Sequence, residues 1–255
     1  HHGGHSCVCV LVRVRRPRRA TRFRYAPRSR PRRRAVGVLA LGATEHRGPH
    51  WPGGVATAST DGIMEAMHTQ WQSQVAAVRP PLLVLPTQSI GFSPEHTSFA
   101  GTLSLSASTV LALWNDIGAG IAASGVRRVL LFNSHGGNVS VMDMVARQLR
   151  QQHGLLTYSS SWFNLPLHGA DAAFSAHQHR SGAHGGEMET SMLLHLPPAL
   201  VRPPHAQNFA STSQPRPRDY PLLGHGKTAK PGRAMPDYTP SGAAPTAPAA
   251  APPRA

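Results

Sequence analysis

The sequence predicts one α/β domain built on a largely parallel sheet. Short apolar, β-favouring runs alternate with stretches whose apolar residues recur at helix spacing. Polar, glycine-bearing turns follow the apolar runs, as they do where a parallel strand hands over to a helix. A chain of 255 residues is also long enough to bury one sizeable core.

Residues 35–41 read as the first strand, followed by a polar loop over 42–52 punctuated by Gly and Pro. A helix is expected from Asp61, with Asp61 as its N-cap and Met64, Met67, Trp71 and Val75 on its apolar face. Residues 82–85 read as a strand leading into a long loop over 91–102 that carries Glu95 and His96. Ser106 caps the next helix, where Val110, Leu113, Trp114, Ile117 and Ile121 share a face and Gly125 ends it. The run 129–132 is a buried strand, and the turn Asn133-Ser134-His135-Gly136-Gly137-Asn138 joins it to a helix bearing Val139, Met142, Val145, Ala146 and Leu149. Gly154 stops that helix and 155–158 form a further strand. A loop with His168, His177, His179 and His184 leads to a helix opened by 184–191, carrying Met192, Leu193 and Leu196 and ended by Pro197 and Pro198. Beyond Pro203 the pattern is loop-like, and there is no internal repeat.

The formal net charge of +15 belongs to one end of the chain. Residues 1–34 hold 12 of the 26 Lys and Arg residues and no acid. That composition cannot bury enough apolar area to offset ordering, so no packed structure is expected there. Arg, Pro, Ala, Gly and His are also what GC-rich DNA yields when read out of frame. This reading is preferred, for 1–34 and for the Ala/Pro-rich 242–255, to a nucleic-acid arm or a targeting segment. The expected division is a basic segment 1–34, a domain 35–240 and a tail 241–255. Cys7 and Cys9 are too close to suggest a disulfide framework, and no run approaches a membrane span. A cytoplasmic protein with neither membrane nor nucleic-acid partner is expected.

Glu45, His46, His50, Glu95, His96, His135, His184, Glu187 and Glu189 gather at strand ends and the late loop. Carboxylates with imidazoles and without cysteines form the donor set of zinc, manganese or iron in hydrolysis. The plainer alternatives are Glu95 and His96 as a loop-bracing pair and Glu187 as a first-turn helix acid. No Gly-x-Ser-x-Gly elbow, Walker motif or dinucleotide fingerprint is present.

Three separated stretches, 42–52, 133–138 and 184–191, resemble in order the hallmarks of the creatininase (creatinine amidohydrolase) family. Those hallmarks are a Glu-Gln-His-Gly-Pro-His loop, an Asn-Gly-His-Gly-Gly-Asn turn and a His-Ala-Gly-x-x-Glu-Thr-Ser helix start. The loop from Phe92 to Thr102 is similar too. The resemblance implies a three-layer α/β/α sandwich, a homohexamer and a two-metal site, with zinc ahead of manganese or iron. It also implies hydrolysis of a cyclic or linear amide C–N bond, other than an ordinary peptide bond, in a small molecule or modified peptide. By the same resemblance Glu45 and His135 bind one metal, Glu189 binds the other in preference to Glu187, and His184 passes a proton to the leaving nitrogen.

Two departures accompany the resemblance. Arg47 stands where the family has a ligand His, and Ala56 stands where it has its bridging Asp. An arginine has no lone pair to offer a metal. His46 and Asp61 are the nearest residues able to replace those ligands, and 53–60 read as filler between them. The expected form is an impaired amidohydrolase holding at most one metal at Glu45 and His135. The other reading is a non-catalytic binding or scaffold protein of the same fold.

Overall fold

The computed structural model describes residues 32–48, 51–75, 77, 79–166, 174, 187–195, 212, 219–222, 232 and 234–242. The elements in chain order are β1 (Val36–Leu41), α1 (Val55–Ser73), β2 (Leu82–Val84), α2 (Ala107–Ala123), β3 (Arg128–Asn133), α3 (Val139–His153), β4 (Leu156–Ser161) and α4 (Glu187–His195). Apart from 32–34, the basic segment lies outside the described residues, as does 243–255.

The four strands form one parallel sheet in the order β2-β1-β3-β4. β1 and β3 sit in the middle, which explains why both read as near-continuous apolar runs: their two faces are covered. On one face Leu39, Leu41 and Leu131 pack with Val110, Trp114, Ile121, Val141, Met142, Val145 and Leu149 from α2 and α3. On the other, Val38, Ala40 and Phe132 pack with Met64 of α1. Helices therefore lie on both faces of the sheet, in the three-layer arrangement. Each fully buried Leu or Phe here is worth roughly 1.5–3 kcal/mol.

Local signals set most of the boundaries. The Ser106 hydroxyl accepts from the Thr109 backbone N–H and starts α2. α3 ends on Gly154, whose φ of 62° is the left-handed cap. The start of α1 differs from the sequence expectation. It begins at Val55, with Gly54 as N-cap, and Asp61 falls in its second turn. Residues 55–60 form the first turns of a helix pressed against the end of β1, and their small side chains allow that approach. Val55, Ala56, Ser59 and Thr60 are all buried. Thr57 Oγ1 donates to Ala43 O at 3.1 Å, and a Cβ on Gly42 would lie 2.8 Å from the Thr57 Cα. Larger side chains would hold the two segments apart.

β4 runs from Leu156 to Ser161, longer and later than expected. Its register against β3 continues to Asn133 opposite Ser161, so polar residues complete a strand whose apolar part ends at Tyr158. No helix among the described residues is long and apolar enough to cross a membrane.

Candidate metal centre

Leu41 of β1 pairs with Asn133 of β3, so these two strands end level and their following loops start side by side. Such a carboxyl edge is where open parallel sheets bind ligands. The loop after β1 carries Glu45 and Arg47, the loop after β2 carries Ser93, Glu95 and His96, and the turn after β3 carries His135 and Asn138. Asn138, fully buried, ties the three together. Its Oδ1 accepts from Phe92 N at 2.9 Å, and its Nδ2 donates to Gly42 O at 3.0 Å. Asn133 shapes the turn itself, accepting from His135 N at 3.0 Å and donating to His135 O at 2.7 Å. Gly137 is required by close approach, because a Cβ there would sit 2.3 Å from Phe92 O and 2.5 Å from His135 Nε2.

Glu45 is the hub, with no exposed surface. Its Oε2 lies 3.0 Å from His135 Nδ1 and 3.3 Å from His96 Nε2, and its Oε1 lies 2.5 Å from Arg47 Nη2. The other face of the His135 ring determines what can happen at Nδ1. His135 Nε2 is 3.0 Å from both the Ser93 hydroxyl and the Phe92 carbonyl oxygen; the carbonyl only accepts, which favours a hydrogen on Nε2. In the neutral ring the Nδ1 lone pair therefore faces a carboxylate oxygen. Two acceptors at 3.0 Å repel unless a proton or a cation lies between them. The backbone carbonyl that fixes the tautomer is the usual support behind a metal-binding imidazole. This donor pair fits a divalent cation. Glu95 Oε1 lies 3.7 Å from His135 Nε2, and one donor atom each from Glu45, Glu95 and His135 fall within 4.8 Å of one another. No other such group of three occurs among the described residues.

Arg47, only 2% exposed, is held between two acids. Nη1 donates to both oxygens of Glu189 at 2.9 and 3.0 Å, and Nη2 meets Glu45. Burial works against the guanidinium charge, but Glu189 and then Glu45 outweigh it, and the pKa is raised. Arg47 is therefore a fixed positive charge inside the site.

His96 is buried and its pKa is pushed down to about 4, chiefly by burial, against the opposing pull of Glu45. Between about pH 6.5 and 4 the unfolded chain holds a proton that the folded chain refuses. Stability present above that window is therefore lost as pH falls through it. Metal-free protein should lose stability between pH 7.5 and pH 5, and His96→Gln should lose less. Urea midpoints at the two pH values check this, and parallel losses in the two proteins would refute it.

The structure brings Glu45 and His135 together and links Glu189 to them through Arg47. His46 and Asp61, named as the nearest replacements, lie apart from the cluster in this structure. The His46 ring stacks on Phe99 at 4.7 Å with its Nε2 3.2 Å from Ser241 O, because neighbouring side chains of an extended segment point apart. Asp61, placed on α1 by the earlier helix start, instead accepts through Oδ1 from Thr87 Oγ1 in the loop after β2. Ala56 is buried in the first turn of that helix. His184 and His50 lie outside the described residues, as does the Glu187 side chain. The sequence context of Glu95 fits a ligand or a loop brace equally; its place beside His135 comes from the meeting of the β2 and β3 loops.

A family model described as Creatininase, creatinine amidohydrolase, matches residues 25–254. The chain belongs to the creatininase family. It is 34% identical over 165 residues to the mycofactocin precursor peptide peptidase of Mycobacterium ulcerans (strain Agy99), covering 64% of this chain and 59% of that relative. This creatininase-family chain thus spans about three-fifths of the length of that curated relative. A putative creatinine amidohydrolase from Bacteroides fragilis shares the fold, with a TM-score of 0.66 and 23% identity over 82% of this chain and 77% of its own. Solved creatininases at 26% identity and TM-score 0.51, matched over 69% of this chain and 70% of theirs, include a manganese form and a Zn-Zn form.

Proposed function

We propose that this chain is a metal-dependent amidohydrolase that cleaves a cyclic or linear amide C–N bond. The observation that carries the reading is the buried pair of Glu45 Oε2 and His135 Nδ1, 3.0 Å apart with Glu95 beside them, a donor set that suits a divalent cation between them. Family membership supports hydrolysis as the use of that cation, and zinc and manganese are the ions favoured by the related creatininase structures. A peptide-derived amide is favoured as substrate by the similarity to a precursor-peptide peptidase, ahead of a small cyclic amide.

Glu45 and His135 would hold the ion, with Glu95 able to offer a third donor atom within 4.8 Å. Once bound, a divalent ion supplies an acidified water and polarises an amide carbonyl. The remaining work falls to the chain. Phe92 O and Ser93 Oγ engage His135 Nε2 and so turn Nδ1 toward Glu45. His96 Nε2 and Arg47 Nη2 hold the Glu45 carboxylate in place from two sides. His184 is assigned the proton passed to the leaving nitrogen.

Purified full chain reconstituted with zinc or manganese should hydrolyse at least one of a panel comprising creatinine, N-formyl amines and short peptides ending in the relative's substrate type. Chelation should remove the activity and re-addition should restore it. Arg47, where a ligand is expected, favours a second reading as a binding protein of the same fold. An ion-loaded chain that cleaves nothing in the panel would establish that reading instead.

A further inference from the structure

We infer that the Arg47 guanidinium takes the place of a second metal ion, so that this site holds one divalent cation and one built-in organic cation. The inference rests on the proposed metal site at Glu45 and His135. The Glu45 carboxylate is divided: Oε2 faces His135, while Oε1 is bound to Arg47 Nη2. Across the guanidinium, both Glu189 oxygens are bound to Nη1. Two carboxylates on opposite sides of one buried positive charge form the electrostatic arrangement that a second ion would otherwise make.

Three features favour the arginine over a vacant second ion site that it merely borders. The guanidinium cannot give up its proton and cannot ligate. It is 2% exposed, so it has no solvent-facing position to retreat to without breaking both ion pairs. Neither Ala56, in the first turn of α1, nor Asp61, bonded to Thr87, supplies a carboxylate between Glu45 and Glu189. A second divalent ion between Glu45 and Glu189 would have to enter against a fixed charge in a low-dielectric setting, where repulsion is strong. The planar fork also ties α4, through Glu189, to the β1 loop, which a spherical ion does without directional preference.

Metal content measured by mass spectrometry after exhaustive dialysis, together with calorimetric titration with Zn²⁺ or Mn²⁺, tests this on the full chain. One equivalent is expected in the unaltered chain. Arg47→Lys should also hold one, because the cation is kept. Arg47→His combined with Ala56→Asp should rise to two. Arg47→Met should melt lower when metal-free and gain more in Tm from added ion than the unaltered chain does. Two equivalents in the unaltered chain or in Arg47→Lys would overturn the inference, as would none. One equivalent without hydrolysis would sink the proposed activity and leave this assignment standing. Two equivalents with hydrolysis would do the reverse.

Discussion

Replacing Glu45 with alanine is expected to destabilise the metal-free protein by about 3–5 kcal/mol and to abolish retention of a divalent ion. Glu45 is the common partner of Arg47, His96 and His135, none of which reaches solvent. Its removal leaves the Arg47 charge buried with Glu189 alone. The cost arises from stranding a charge, so removing that charge as well should relieve part of it. The double variant Glu45→Ala/Arg47→Met should unfold at higher urea than Glu45→Ala by about 1–3 kcal/mol, a coupling typical of contacting groups. Urea unfolding in chelator separates this effect from loss of the ion. A Glu45→Ala protein within 1 kcal/mol of the unaltered chain would contradict the buried network described here.

Asn138→Ala is expected to cost about 2–4 kcal/mol and to weaken ion binding, although Asn138 offers no atom to the ion. The substitution strands the Phe92 N–H and the Gly42 carbonyl, both of which the Asn138 amide satisfies. It also frees the loop that holds Phe92 O against His135 Nε2, and with it the ring orientation that turns Nδ1 toward Glu45. Asn138→Asp should not rescue either property, because a carboxylate accepts from Phe92 N but cannot donate to Gly42 O. Chemical denaturation and zinc titration of both variants provide the check. Rescue by aspartate would mean that the clamp acts through Phe92 alone.

The fold was legible because its signals are local. Apolar runs at 36–41 and 129–132, helix spacing in 110–121 and 139–149, and the Ser106 and Gly154 caps each depend on residues within a few positions. The start of α1 was not, since Gly, Ala, Ser and Thr carry no helix pattern of their own. Only contact with β1 explains why those residues must be small. Glu45 and His135 stood out as polar groups at strand ends, yet 90 positions separate them. Their meeting at 3.0 Å depends on β1 and β3 being neighbours of equal register. The sequence alone placed an arginine at position 47, two residues after Glu45 in the loop that resembles the family's. Whether that charge would point to solvent, repel an ion or join two acids was decided by the tertiary structure. Burial between Glu45 and Glu189 makes the ion-paired orientation the one in which a desolvated guanidinium is compensated.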